Sequence, residues 1–306
     1  MTGPKTGPMT ADAVLLLAFG GPTRPEEIRP FLANVARGRR IPADRLDAVA
    51  HHYEEIGGRS PLNDLTFDQA RALRRALPSL PVYVGMRNWA PYIADTIAEM
   101  TMNGVRRAVG LVLSPHANEA SRERYVETVT EARAQQGPRA PEVVWTPSWH
   151  VHPRFVAALA ECVAAARAGV AADAPVVFTA HSIPTASAAA SPYERELAET
   201  AAAVAAALAL PRWQLAYQSR SGNPRDPWLE PDVNDALRTL AAAGARDVVV
   251  APIGFVCDHV EVLYDLDVEA RRTADALGLR FARASTVNAH PAFIDALADV
   301  IRSAAA

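Results

Sequence analysis

Eight short apolar runs punctuate this chain, and a stretch of helical periodicity follows each of them. They lie at 13–19, 81–85, 107–113 and 142–146 in the first half and at 175–180, 213–217, 247–252 and 280–284 in the second. Apolar runs that alternate with helices predict parallel strands joined by right-handed crossovers, the doubly wound α/β plan. Two segments recur. Asn103-Gly104-Val105-Arg106-Arg107-Ala108-Val109 resembles Ala243-Gly244-Ala245-Arg246-Asp247-Val248-Val249 at an offset of 140 residues, and His152-Pro153-Arg154-Phe155 resembles His290-Pro291-Ala292-Phe293 at an offset of 138. Nearly equal offsets in the same order predict two similar doubly wound domains, each a four-stranded parallel sheet flanked by helices. We place them at 11–150 and 151–288, with 289–306 as a C-terminal helix packing back on the first domain.

Ligands of doubly wound folds sit beyond the carboxyl ends of the strands. Here those ends fall at 19–22, 86–89, 114–118, 181–184, 218–222 and 254–258, and they line one cleft if the two domains face each other. None carries a G-x-G-x-x-G or Walker A sequence, so neither a dinucleotide nor a nucleoside triphosphate is supported.

Composition narrows the class. With 306 residues, 50% of them hydrophobic, the chain is long enough for two domains with sizeable cores. A net charge of -3 offers no basic excess for nucleic acid. The opening ten residues are polar, and the longest apolar stretch, near 201–210, is too short to span a bilayer, which predicts a cytoplasmic protein without a transmembrane segment. Cys162 and Cys257 supply neither a disulfide framework nor four thiolates for an iron–sulfur cluster.

The sharpest chemical signal is His181, which closes the apolar run 175–180, together with the acids of 258–269. Glu261, Asp265 and Glu269 stand at i, i+4 and i+8, so on a helix-like backbone their carboxylates share one face. Like charges at this spacing oppose helix formation, and a cation or a proton relay explains them better than stability does. A neutral imidazole facing such a ladder suggests proton removal coupled to metal movement.

Five segments, Leu17 to Pro22, Tyr53 to Leu62, Gly85 to Trp89, Thr179 to Pro184 and Asp258 to Asp265, resemble motifs of the ferrochelatases, enzymes that insert ferrous iron into a porphyrin. The resemblance runs in order from about residue 11 to the C-terminus. It implies two Rossmann-like domains with the porphyrin between them, and it is nearest to the short soluble bacterial enzymes. By that resemblance His181 is base or metal ligand, Glu261 its carboxylate partner, and Asp265 and Glu269 an acidic metal path on a π-type helix. Phe19, Tyr53, Ser60 and Tyr125, with the cations Arg37 and Arg39, then contact the porphyrin, the hydroxyl and guanidinium groups taking its propionates. His116, His259 and Asp258 are supporting groups. Phe19 stands where several coproporphyrin enzymes carry an iron-binding tyrosine, so phenolate ligation of product iron does not occur there. Many relatives carry four cysteines for a [2Fe-2S] cluster. This sequence lacks them, and no cofactor beyond substrate Fe(II) is expected. The resemblance to the short soluble enzymes and the donor set imply coproporphyrin III as the substrate, with protoporphyrin IX as the alternative, and passing contact with neighbouring enzymes of heme synthesis. Another tetrapyrrole chelatase would be expected to favour more histidine, and a heme carrier would need no acidic ladder.

Overall fold

The computed structural model describes residues 10–38, 43–221 and 226–305. The first half holds β1 (Ala13–Ala18), β2 (Val82–Met86), β3 (Arg107–Val112) and β4 (Glu142–Trp145). The second holds β5 (Val176–His181), β6 (Trp213–Gln218), β7 (Asp247–Ala251) and β8 (Arg280–Arg283). All eight coincide with the apolar runs to within a residue at either end. They form two four-stranded parallel sheets ordered β2-β1-β3-β4 and β6-β5-β7-β8, so the repeat seen in sequence is a repeat of topology. β3 and β7 begin at Arg107 and Asp247, the same 140-residue offset.

Every residue of β1 is buried, which is why Ala13–Ala18 reads as an unbroken apolar run rather than an alternating one. Helices cover both faces: Ile93, Ile97 and Met100 lie on one side of the first sheet, and Leu73 and Phe293 belong to the core on the other.

The helices that follow the two sheets change places. Pro153–Arg167, which comes after β4, packs on β7, β8 and the helix Tyr193–Ala207 of the second half. Pro291–Ala305, which comes after β8, packs on β3, β4 and the helix Leu62–Ala76 of the first half. The two helices also pack on each other, through Phe155 and Phe293 with ring centroids 5.6 Å apart, and Trp149 closes against both. Each begins after a histidine, His152 or His290, whose Nδ1 accepts the backbone N–H two residues on. The recurrent His-Pro-x-Phe is therefore a helix start with a buried aromatic anchor.

Two glycines shape the strand ends. Gly254, just beyond β7, lies so close to β5 that a Cβ there would meet the Ala180 Cβ at 2.5 Å, and its N–H donates to Thr179 O at 3.0 Å. Gly20 takes φ +83° beside the Trp89 backbone. Both hold their loops tightly over the sheets. Among the described residues no helix is long and apolar enough to cross a membrane.

Candidate active site

β5 ends at His181, paired in register with Gln218 at the end of β6. Three hydrogen bonds fix the strand end: Tyr193 Oη donates to His181 O at 2.9 Å, Ser182 N to Gln218 O at 2.7 Å, and Ser182 Oγ to Leu229 O at 2.9 Å. His181 Nδ1 bonds the Ser182 carbonyl, which requires a proton on Nδ1 and turns Nε2 outward. Nε2 lies 3.4 Å from Glu261 Oε1, with side-chain exposures of 27% for His181 and 37% for Glu261. The pair is thus half-buried and open to the cleft.

Glu261 lies in the first turn of the short helix that follows β7. His259 caps the short helix Val260–Tyr264 by accepting the Glu261 N–H on Nδ1 at 3.1 Å, and Gln218 Nε2 donates to the Glu261 carbonyl. A π turn, Asp265–Ala270, continues that helix. After four residues an α-helix overshoots a full turn by about 40°. The wider π turn takes that overshoot back, so the ladder spacing and the π geometry suit each other. Asp265 is buried and accepts a hydrogen bond from Ser219 Oγ, while Glu269 is exposed at the outer end. Ser219 holds φ +63°, the left-handed conformation that turns β6 toward Asp265.

The charges along this line differ with their surroundings. Burial opposes ionisation of Glu261, but the His181 charge and hydrogen bond outweigh it and hold the carboxyl at about 2. Burial likewise opposes the His181 cation, yet Glu261, the Ser182 carbonyl and Asp265 together raise its pKa. Asp265 is pushed up to about 8, by burial first and by the Glu261 and Glu269 charges, against the Ser219 hydrogen bond. Glu269 is also raised, by partial burial and then by Asp232. An ionised Glu261 therefore stands at the head of the ladder, beside a histidine whose affinity for a proton is raised, and a protonated carboxyl stands in its middle. Among the described residues no three His, Cys, Asp or Glu side chains converge as a metal cage.

The first half supplies the facing wall. Its helix Ala43–Glu55 lies against the ladder segment, with His52 stacked on Tyr264 at 3.7 Å and Glu55 paired with Arg272 at 2.9 Å. Tyr53 is buried in this contact, near enough to Glu261 that its charge adds to burial in raising the phenol pKa. From Tyr53 a series of edge-on rings runs through Phe31 to Phe19 and Trp89, with centroids 6.1–6.3 Å apart. Phe19 is 39% exposed. Arg87, from the end of β2, places its guanidinium over Phe19 at 5.3 Å and over Tyr125 at 5.0 Å. It also borders a cavity of about 430 Å³ with Asn34, Arg37, Asn88 and Tyr92.

Of the ten residues singled out in the sequence, seven fall into two groups. His181, Glu261, Asp265 and Glu269 follow one another in the second half, each close enough to the next for their charges to interact. Phe19, Tyr125 and Arg37 gather around Arg87, while Ser60 is buried beneath the turn after β1, its N–H on Pro22 O at 2.8 Å. Tyr53 is buried within reach of the Glu261 charge. Arg39 lies outside the described residues. Of the supporting histidines, His116 is buried and bonds Thr200 across the halves at 2.9 Å. Sequence reasoning missed Arg87, Tyr193, Gln218 and Ser219. Arg87 and the last two stand at strand ends and were open to notice on that ground; Tyr193 stands on a helix and gave no signal.

The two-sheet architecture resembles that of SirB from Bacillus subtilis, solved with Fe3+, at a TM-score of 0.61 and 14% identity over 96% of this chain and 95% of that one. The sirohydrochlorin chelatase SirB from Bacillus subtilis subspecies spizizenii, solved with cobalt, gives 0.56 at 14% identity over 96% and 94%. The fold is therefore that of the two-domain α/β chelatases. The sequence model of the ferrochelatase family matches residues 11–305. Coproporphyrin III ferrochelatases of Mycobacterium tuberculosis and Mycobacterium bovis are 51% identical over 288 residues, 93% of this chain and 83% of theirs. That of Mycobacterium avium is 49% identical over 296 residues, 96% and 88%. The chain belongs to the ferrochelatase family and is a metal chelatase.

Proposed function

We propose that this enzyme inserts Fe(II) into coproporphyrin III, with His181 taking the pyrrolic protons and the ladder bringing the metal. The observation that carries the reading is the His181–Glu261 pair, 3.4 Å apart at the inner end of a line of carboxyls. A free-base porphyrin must lose two protons as iron enters, so it needs a base beside the ring. An imidazole fixed through Nδ1 and flanked by an ionised carboxylate holds a proton on Nε2 more strongly than free imidazole does. Carboxylate oxygens exchange iron more readily than thiolates, which suits a path rather than a sink. A protonated Asp265 gives up its proton as a cation arrives, and so couples metal uptake to proton release.

On the facing side the exposed Phe19 offers a flat apolar contact for the ring. Arg87 and Arg37 offer guanidinium groups to ionised propionates. Tyr125 lies under Arg87, Tyr53 and Ser60 complete the hydroxyl set, and Phe19 leaves the product iron without a phenolate. The same reading gives the enzyme a cytoplasmic setting, no iron–sulfur cluster, and passing contact with the enzymes that make its porphyrin and consume its product.

The test is anaerobic Fe(II) insertion with coproporphyrin III and protoporphyrin IX side by side in matched detergent. Protoporphyrin has two fewer propionates, and one charge-assisted hydrogen bond is worth about 1.5–3 kcal/mol. We expect a specificity constant at least about tenfold higher for coproporphyrin III. Equal or reversed constants would move the assignment to protoporphyrin and leave the roles of His181 and Glu261 in place.

A further inference from the structure

The π turn Asp265–Ala270 carries two of the ladder carboxyls, and turns of this kind are rare, single and placed by their surroundings. Asp267 lies between those two carboxyls, and its carboxylate is taken by Arg283, the last residue of β8. Arg283 Nε donates to Asp267 Oδ1 at 2.7 Å and Nη2 to Oδ2 at 2.9 Å, a two-pronged fork of the kind only arginine makes. Nη1 reaches Asp258 Oδ1 at 3.2 Å and the Ala284 carbonyl at 3.2 Å. The guanidinium is 14% exposed, so water competes little for these bonds.

Asp258 is tied in turn. Its N–H donates to Asn288 Oδ1 at 3.2 Å, and its Oδ2 accepts from Asn288 Nδ2 at 3.4 Å. Gln69, on a helix of the first half, donates to both Val256 O and Asn288 O at 3.0 Å. One guanidinium therefore grips the ladder segment before its first carboxyl and again inside the π turn. Through Asn288 and Gln69 the grip extends to the helix Leu62–Ala76 of the first half.

We propose that Arg283 is a positioning residue for metal delivery: its fork on Asp267 fixes the rotation of the π turn and so aims Asp265 and Glu269 along the line that ends at Glu261. This rests on the ladder reading given above. Arg283 itself touches neither metal nor porphyrin in it. A Lys at this position keeps the charge but presents a single point instead of a fork, so the turn is free to relax toward 3.6 residues per turn and swing Glu269 off the line.

The experiment is anaerobic Fe(II) insertion into coproporphyrin III by the full chain, comparing wild type, Arg283→Lys, Asp267→Asn, the double variant and Asp265→Asn, each with its thermal midpoint. Replacing a residue that orients metal ligands typically lowers metal affinity by about 10–100-fold. We expect Arg283→Lys to raise the iron concentration for half-maximal rate by about tenfold, with the porphyrin KM and the rate at saturating iron within about twofold of wild type. Asp267→Asn should do the same, and the double variant should be no worse than the worse single one, because both remove one interaction. If Arg283→Lys fails to fold, Asp267→Asn alone decides the matter. Unchanged iron saturation in the folded variants, or a fall in rate accompanied by a raised porphyrin KM, overturns the proposal. If Asp265→Asn raises the iron requirement and Arg283→Lys does not, the ladder stands and the clamp falls; if Asp265→Asn changes nothing, the ladder reading falls and takes the clamp with it.

Discussion

Replacing Asp265 by Asn should stabilise this protein while impairing it, and the gain should depend on pH. Asp265 is buried, and burial with two neighbouring carboxylates lifts its pKa from 3.8 to about 8. A carboxyl whose folded pKa lies above its unfolded value binds its proton more tightly in the native state. The stability this supplies is whole below about pH 4 and drains away as pH rises through about 8. Each pH unit inside that window is worth about 1.4 kcal/mol, so between pH 5 and pH 8 the native protein gives up about 4 kcal/mol to this one side chain. Asparagine keeps the shape and an oxygen for the Ser219 hydroxyl and has no proton to lose. Titrations of groups that do not interact with Asp265 are common to both proteins and cancel in the difference. Urea unfolding of wild type and Asp265→Asn, followed by far-ultraviolet circular dichroism between pH 5 and pH 8, should show the variant's advantage widening by about 4 kcal/mol across that range. A difference that stays flat with pH, or a variant less stable than wild type at pH 8, refutes the argument that a proton is held in the middle of the ladder.

Two further outcomes follow from the same geometry. His181→Ala should lower insertion by about two to four orders of magnitude while porphyrin still binds, as followed by its absorbance shift; near wild-type turnover would remove His181 from the chemistry. Phe293→Ala, at a fully buried ring between Phe155 and Trp149, should cost about 3–5 kcal/mol and lower the melting of both halves in one transition; two separated transitions would show that the halves do not depend on that contact.

The strands were legible because parallel strands covered on both faces have no polar side to interrupt them, and β1 with its six buried residues is the clearest case. The inner site was legible for a related reason. His181 and Glu261 both follow strand ends, where the fold turns side chains into the cleft. The ladder's phase was harder to read, because a spacing of four suits an α-helix only loosely and nothing local in 265–270 announces a π turn. What holds the turn comes from far away in sequence: Ser219 lies 46 residues from Asp265, and Arg283 reaches it from another strand. The hydroxyl residues show the same limit. Tyr53 and Ser60 are polar enough to suggest a rim, but only the packing of Phe31 and the turn at Gly20-Gly21 determines that they are buried.

The reciprocal exchange of the helices after β4 and β8 has a meaning for how such a molecule is built. Each half offers its final helix to the other and receives one in return, which is the geometry of a domain-swapped pair with a single chain running through it. Two separate half-length chains, each four strands and one departing helix, would close the same architecture as a symmetric dimer with two identical cleft walls. A single chain is free of that symmetry, and here one wall carries acids leading to a histidine and the other aromatic rings and arginines.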